Sequence, residues 1–268
     1  MTESFTETIE QYVAADGDTR LDLHVCSPVR RPRAAVLLFH GGGWMKGAPS
    51  MLLPHARRLA DAGILAASSA YRLVGSGALS PADCLADAAQ ADRTFRKIAA
   101  DAGLDRIAIG GGSAGAQLAL ALAMPPGGDQ PSAYDGLVLL NPAVDMCCGR
   151  GLLAALSRRL VGLTPEAARD ASPLHHVRPG TPRSLVLHGT RDRIVPLRLA
   201  REFREAMAAA GNDCELVEFE GAGHGFFLPR PEGNPAFDRT AELILKFLLT
   251  PTAGSEGAGQ IDDGKYPA

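Results

Sequence analysis

Several features that mark particular classes of protein are missing from this 268-residue sequence. No uninterrupted apolar run reaches the roughly 18 residues that a membrane-spanning helix needs, so we expect no membrane insertion. The formal net charge is only -3 and both signs are scattered along the chain, so no nucleic-acid partner is expected. The expected partners are small molecules, and the oligomeric state stays open.

The five cysteines also fall outside the patterns of a disulfide framework or a metal site. No two of them are spaced as C-x-x-C, and an odd number fits free thiols in a reducing compartment. The first residues, MTESFTETIE, lack the basic start and the apolar core of a secretory signal. We therefore expect a cytoplasmic protein with no bound metal.

What the sequence does contain is an alternation of short apolar runs and helical patterns. Eight segments read as strands, and the first two flank Asp16-Gly17-Asp18, which is a hairpin signal. The runs AAVLLF, GLVLL and SLVL are typical of parallel strands covered on both faces. The pattern predicts an α/β fold with a mostly parallel sheet of about eight strands and helices on both faces. Helices are predicted at about 51–62, 81–103, 114–124, 198–211 and 235–249.

The chain is expected to form a single domain over residues 1–250. Between the strand ending near Asn141 and the strand starting near Arg183 lies an insertion, at about 143–181, of a length that lids and binding loops often have. This insertion contains a short amphipathic piece with Leu152, Leu153, Leu156 and Leu160. Residues 251–268 are glycine-rich and nearly free of large apolar side chains, so we expect a disordered tail.

The stretch RIAIGGGSAGAQLALAL, at 106–122, satisfies two catalytic patterns at once. Its glycines spell G-x-G-x-x-G, the dinucleotide-binding fingerprint, and also G-x-S-x-G, the nucleophile elbow of serine hydrolases, around Ser113. A dinucleotide site needs this turn after the first strand and an acid at the carboxyl end of the next strand. Here at least four strand candidates precede the turn, and Asp135 lies before the next strand. The context therefore favours the nucleophile elbow.

A nucleophile elbow requires an acid and then a histidine, each on a loop after a later strand. The strand RSLVLHG leads into Asp192, and the strand CELVEFE leads into His224. Because the carboxyl ends of such strands share one edge of a sheet, Ser113, Asp192 and His224 can converge. His224 would take the proton of Ser113, and Asp192 would orient the imidazole and stabilise its charged form.

Attack on a carbonyl group also needs donors for the developing oxyanion. The segment FHGGGWMKG follows the strand AAVLLF, where serine hydrolases place the second half of the oxyanion hole. We expect the backbone N–H groups of Gly41, Gly42 and Ala114 to be these donors. Trp44 and Phe226, which lie next to the oxyanion and base motifs, are predicted to contact the substrate.

Together these motifs resemble the hormone-sensitive-lipase-like branch of the α/β-hydrolases. The resemblance runs from about residue 8 to 250 and is carried by HGGGW at 40–44, YRL at 71–73, GGSAGA at 111–116, SPLHHV at 172–177, HGTRD at 188–192 and GHGF at 223–226. It implies the α/β-hydrolase fold and a carboxylesterase that needs no cofactor. It also implies the roles given above: nucleophile Ser113, acid Asp192, base His224 and oxyanion donors Gly41, Gly42 and Ala114.

Two features depart from that branch. Its usual acidic residue before YRL is Ala70 here, which leaves open what braces Tyr71 and Arg72. Larger members carry an N-terminal helical cap, and HGGG already begins at residue 40 here, so we expect a compact form without that cap.

The expected reaction is hydrolysis of a small-molecule ester. A site roofed only by the insertion would bury few methylene groups, each worth about 0.8 kcal/mol, so short, acetyl-like acyl groups are expected. An amidase such as an arylformamidase would use the same triad, and this alternative stays open. A non-catalytic binding protein of the same fold is a third class, which the retained His224 disfavours.

Overall fold

An eight-stranded sheet forms the centre of the structure, a computed structural model that describes residues 4–128, 132–146 and 164–251. The strands are β1 (Phe5–Val13), β2 (Arg20–Pro28), β3 (Ala35–Phe39), β4 (Leu65–Ser69), β5 (Leu73–Val74), β6 (Gly77–Ala78), β7 (Ile107–Gly112), β8 (Tyr134–Leu140), β9 (Ser184–Gly189) and β10 (Cys214–Phe219). The order is β1-β2-β4-β3-β7-β8-β9-β10, and β5 pairs with β6 separately. β2 is antiparallel to β1 and β4, and the other neighbours in the large sheet are parallel.

Helices connect the parallel strands, and a last helix follows β10. They are α1 (Leu53–Asp61), α2 (Pro81–Asp101), α3 (Ala114–Ala123), α4 (Pro165–Asp170), α5 (Leu197–Ala209) and α6 (Pro235–Leu249). Local signals set their starts: the side chain of Asn234 accepts the N–H of Ala236 (3.1 Å) at the start of α6, and proline occupies the first turn of α2 and α6. No helix in the described part of the chain is long and apolar enough to cross a membrane.

The buried side chains form two clusters, one on each face of the sheet. Along β3, Leu37 and Phe39 join the cluster that contains residues of α2, α3 and α5, whereas Val36 and Leu38 join the cluster with α1 and α6. This alternation follows from the period of two along a strand. Both faces are covered, so the predicted α/β architecture is confirmed, and the carboxyl ends of the parallel strands meet at one edge.

The eight strand segments and five helices predicted from the sequence are all present. The short helix α4 and the two-residue strands β5 and β6 were not predicted. Their lengths explain this, because six residues or fewer give too little periodicity to distinguish a helix or a strand from a turn.

The insertion predicted at about 143–181 is described only at its two ends. These ends are joined, because the N–H of Met146 donates to the Ser172 hydroxyl (2.7 Å) and the N–H of Leu174 to the Val144 carbonyl (2.9 Å). Residues 147–163, with the amphipathic leucines, and residues 252–268 of the predicted tail lie outside the described residues. The single domain, the lid and the disordered tail stay predictions.

Candidate active site

Ser113 occupies the sharp turn between β7 and α3, at the carboxyl edge of the sheet. Its φ of 52° and ψ of -113° lie where residues other than glycine are seldom found. Neighbouring glycines make the turn possible: a Cβ on Gly115 would lie 2.1 Å from the carbonyl oxygen of Phe39, and a Cβ on Gly111 would lie 2.3 Å from the same atom. The strained turn leaves the Ser113 side chain partly exposed at the edge of the sheet.

Asp192 and His224 meet at the same edge. Asp192 follows β9 and His224 follows β10, and the His224 Nδ1 lies 2.7 Å from Oδ2 of Asp192. Oδ1 of Asp192 accepts the backbone N–H groups of Ile194 (2.8 Å) and Val195 (2.9 Å). The Asp192 side chain is fully buried, whereas that of His224 is 21% exposed. The carboxylate is therefore fixed, and Nε2 is the nitrogen of His224 that can take up a proton.

The Asp192 carboxylate lies between two imidazole rings. Burial alone would raise the pKa of Asp192, but hydrogen bonds from His224, Val195 and Ile194 outweigh it and hold the pKa below its ordinary value. On the other side, Nε2 of the fully buried His188 lies 2.9 Å from the Val195 carbonyl oxygen and 3.6 Å from Asp192 Oδ2. Burial lowers the pKa of His188. At neutral pH, Asp192 is therefore ionised beside a neutral His188.

The glycine loop after β3 lies against the nucleophile turn. A Cβ on Gly41 would lie 3.4 Å from the Cβ of Ser113, so the loop backbone passes directly beside the serine. Gly42 has a φ of 117°, and a Cβ there would lie 1.9 Å from the carbonyl oxygen of Lys46, so only glycine fits. Ala114 begins α3 on the other side of Ser113. The predicted oxyanion donors thus belong to two segments that flank the serine.

His40 braces this loop from the interior. Its ring stacks on Tyr71 with centroids 4.2 Å apart, and the Tyr71 hydroxyl donates to the His40 carbonyl oxygen (2.9 Å). Burial lowers the pKa of His40 to about 4, so the ring is neutral at neutral pH. Its Nδ1 lies 2.7 Å from the Gly41 carbonyl oxygen, which can only accept, so this nitrogen carries the hydrogen. His40 therefore holds the glycine loop in place.

Trp44 and Phe226, the two predicted substrate contacts, are both buried. Trp44 is 6% exposed with a φ of 62°, and its indole N–H donates to Oε1 of Gln117 (3.2 Å). Phe226 is 3% exposed and packs against Phe219 and Phe227, with ring centroids 4.3 and 5.6 Å apart. Both side chains contribute to packing around the site, and their contact with substrate stays a prediction.

Two buried polar side chains at this edge were missed by the sequence reasoning. Asn141, directly after β8, donates from its amide to the carbonyl oxygen of His224. Gln117 of α3 accepts from Trp44 (3.2 Å) and donates to the carbonyl oxygen of Ala171 (3.0 Å), which links the glycine loop to the end of α4. A polar residue beside or within an apolar run was the available signal: Gln117 interrupts AGAQLALALA, and Asn141 ends GLVLLN.

The acid missing before YRL is compensated from α2. Asp87 is fully buried, and the Arg72 guanidinium donates to both of its carboxylate oxygens, at 2.8 and 2.9 Å. The backbone N–H of Arg72 donates to Asp87 as well (3.0 Å), and the Tyr12 hydroxyl donates to the carbonyl oxygen of Ala70 (2.7 Å). The segment that carries Tyr71 and Arg72 is therefore held without a carboxylate at position 70.

Comparison with known proteins gives one family match and a group of similar solved structures. Residues 36–228 match a family model described as the α/β-hydrolase fold. Esterase 2 of Thermogutta terrifontis, solved with propionate bound, is 36% identical with a TM-score of 0.77, over 91% of this chain and 93% of that chain. The same esterase phosphorylated by paraoxon is 36% identical with a TM-score of 0.76, over 92% and 95% of the two chains.

Curated relatives match over different lengths. A probable isoprenylcysteine α-carbonyl methylesterase of Arabidopsis thaliana is 27% identical over 256 residues, which cover 86% of this chain and 53% of that protein. Esterase LipC of Mycobacterium tuberculosis is 42% identical over 72 residues, or 26% of this chain and 18% of that protein. The chain thus spans about half the length of the methylesterase that it matches.

Proposed function

This chain belongs to the α/β-hydrolase family, in its hormone-sensitive-lipase-like carboxylesterase branch, and we propose that it is a serine carboxylesterase that hydrolyses short-acyl esters. The strained turn that presents Ser113, at the edge where His224 bonds to Asp192 (2.7 Å), is the observation that carries the proposal. A buried carboxylate that orients an imidazole near a serine elbow is the arrangement required for acyl transfer to serine.

Acylation begins when Nε2 of His224 takes the proton of the Ser113 hydroxyl, because Nδ1 is held by Asp192. The Ser113 oxygen attacks the ester carbonyl carbon and forms a tetrahedral intermediate. Collapse of this intermediate breaks the bond to the alcohol oxygen, which takes the proton from His224 and leaves. Water then repeats the sequence on the acyl-enzyme, releases the carboxylic acid and restores Ser113.

The negative charge of the tetrahedral oxygen requires donors on the side away from the base. We propose the backbone N–H groups of Gly41, Gly42 and Ala114, which belong to the two segments that flank the serine. Loss of one such donor costs about 3 kcal/mol of transition-state stabilisation in another serine hydrolase. None of these steps needs a metal or a cofactor.

Short acyl groups are supported by one similar structure. The Thermogutta terrifontis esterase was solved with propionate and with butyrate bound, and both are short-chain carboxylates. Each acyl methylene adds about 0.8 kcal/mol of favourable binding free energy only where the protein buries it. The dependence of kcat/KM on acyl length therefore measures the depth of the acyl pocket.

Hydrolysis of nitrophenyl esters of increasing acyl length tests the proposal. We expect the highest kcat/KM between acetate and butyrate, and a kcat about 10⁴-fold lower in Ser113→Ala. The control is Ser50→Ala, at an exposed serine, which should match the wild-type protein. Substantial activity in Ser113→Ala would contradict the serine mechanism, and a maximum at long acyl chains would contradict the short-acyl preference. Preferential hydrolysis of formyl anilides would favour the amidase.

We also propose that the chain is cytoplasmic. Cys26, Cys84 and Cys214 are free thiols, and burial raises the pKa of each to about 12. Free thiols are typical of a reducing compartment. Fractionation of cells that express the chain tests this location, and recovery outside the cytoplasm would contradict it.

A further inference from the structure

Asn141 lies between the nucleophile turn and the loops of the acid and the base. It follows β8, which stands in the sheet between β7, the strand before Ser113, and β9, the strand before Asp192. Its backbone N–H donates to the carbonyl oxygen of Leu187 in β9 (2.9 Å), and the N–H of Ser113 donates to that of Leu140 in β8 (2.8 Å). The Asn141 side chain is fully buried.

The amide of Asn141 joins the base loop to the acid strand. Nδ2 donates to the carbonyl oxygen of His224, and Oδ1 accepts the N–H of Gly189 (3.4 Å), the last residue of β9 before the turn to Asp192. A carbonyl oxygen can only accept and an N–H can only donate, so only one orientation of the amide satisfies both contacts. A side chain with a donor and an acceptor at its tip is therefore required here.

The backbone at Asn141 is strained as well. Its φ is 43°, in the left-handed region. Asparagine enters this region more easily than most residues, but glycine enters it with no steric cost. Since glycine would relieve the strain, the presence of asparagine indicates that its amide has a role at this position.

Other side chains hold the base loop beyond His224. Asn234 donates to the carbonyl oxygens of Phe226 (2.6 Å) and Leu228 (2.7 Å). Nε2 of His55 lies 2.8 Å from the carbonyl oxygen of Phe227. These bonds fix the rest of the loop, whereas Asn141 binds the backbone of the base itself. Asn234 therefore offers a matched control.

We infer that Asn141 is a positioning residue, which fixes the backbone of His224 against the strand that leads to Asp192. It keeps Nδ1 of the base on the carboxylate while Nε2 exchanges protons with Ser113. The inference rests on the proposed function, since Asn141 acts only through the base.

Two substitutions separate the effect of the Asn141 amide from the effect of its backbone conformation. Asn141→Gly accepts the left-handed φ and removes the amide, and Asn141→Asp keeps the shape and the acceptor but removes the donor. For both we expect a kcat for nitrophenyl acetate about 10–100-fold lower with KM nearly unchanged, because a misplaced base slows the reaction without altering ester binding. A melting temperature close to that of the wild-type protein should show that Asn141→Gly is folded.

A double substitution provides a readout that distinguishes positioning of the base from loss of packing. Since Asn141 acts only through the base, Asn141→Gly should cause no further fall of the residual kcat in a His224→Ala background. Asn234→Ala removes the cap of α6 and two bonds to the same loop. It should lower the melting temperature and leave kcat nearly unchanged.

Failure of the positioning role of Asn141 and failure of the proposed function would give different results. Wild-type kcat in both Asn141 variants, or an equal fall of kcat when Asn141→Gly is made in the His224→Ala background, would overturn the positioning role. A wild-type protein that hydrolyses no ester would instead overturn the proposed function.

Discussion

At the amino edge of the central sheet, positive φ angles fall on glycine, whereas at the carboxyl edge three of them fall on other residues. The glycines of the amino edge precede strands, at Gly63, Gly103, Gly180 and Gly211. In the described part of the chain, the residues other than glycine with positive φ are Trp44, Ser113 and Asn141, after β3, β7 and β8. A left-handed conformation costs such a residue roughly 1–2 kcal/mol, so backbone strain is concentrated around the proposed reaction.

The two edges also differ in how they hold charge. At the carboxyl edge, His40 and His188 are buried, and burial lowers the pKa of both rings. At the amino edge, Arg106 pairs with Asp135 at 2.7 Å, but their side chains are 56% and 39% exposed, so solvent screens the pair. Substitutions of the proposed catalytic groups at the carboxyl edge should affect catalysis, whereas substitutions at the amino edge should affect only stability.

The largest effect is expected from removing the base. His224→Ala should lower kcat about 10⁴-fold, because it removes the proposed acceptor of the Ser113 proton, and the melting temperature should change little. His176→Ala is a suitable control, since that ring contacts the carbonyl oxygen of Asp170 (2.8 Å) and has no proposed role. Steady-state kinetics on nitrophenyl acetate provide the measurement. More than about a tenth of the wild-type kcat in His224→Ala would contradict its role as base.

A smaller loss is expected from disturbing the glycine loop. Gly42→Ala would place a Cβ 1.9 Å from the carbonyl oxygen of Lys46, so the loop must shift and kcat should fall about 10²–10³-fold. Gly43→Ala is the matched control, because its φ is 63° but no atom lies within 4 Å of the added Cβ. Kinetics and melting curves of both variants test this difference. Equal losses of kcat would show that backbone strain, and not displacement of the oxyanion donors, decides the effect.

Buried histidines should make the protein sensitive to acid. Burial lowers the pKa of His40 and His55 to about 4, so as pH falls below the ordinary value near 6.5 the unfolded chain binds protons that the folded chain does not. The free energy of unfolding should therefore decrease from about pH 6.5 down to about pH 4, by about 2 kcal/mol per histidine at pH 5. Urea titrations at pH 7 and pH 5 measure the change. A constant free energy would contradict the neutral buried rings.

The smallest effect is expected at the amino edge. Gly211 has a φ of 74° and no atom within 4 Å of an added Cβ, so Gly211→Ala adds only conformational strain of about 1 kcal/mol. The melting temperature should fall by about 2–4 °C with kcat unchanged. Calorimetry and nitrophenyl acetate hydrolysis test the two halves of this prediction. A lower kcat would show that the two edges are not independent.

The fold could be predicted because its strands are uninterrupted apolar runs and its long helices carry clear periodicity. The members of the candidate site could be proposed because Ser113, Asp192 and His224 each follow a strand in the required order. That reasoning uses local sequence and the shared edge of a parallel sheet. It does not depend on how individual side chains pack.

Contacts between distant segments could not be predicted in this way. The pairing of Asp87 with Arg72 and the bond from Asn141 to His224 depend on side-chain positions that no local pattern specifies. The packing of the Phe226 ring against Phe219 is a further example of such a contact. The short helix α4 could not be predicted for a different reason, because its six residues are too few to show helical periodicity.

The site of the covalent adduct formed with paraoxon tests the role of Ser113 most directly. In this reaction the Ser113 oxygen attacks phosphorus, nitrophenolate leaves, and His224 takes the serine proton. Mass spectrometry should find one diethylphosphoryl group per chain, on the peptide that contains Ser113, with esterase activity lost in proportion and no adduct in Ser113→Ala. An adduct on another residue, or equal labelling of Ser113→Ala, would contradict the assignment of Ser113 as the nucleophile.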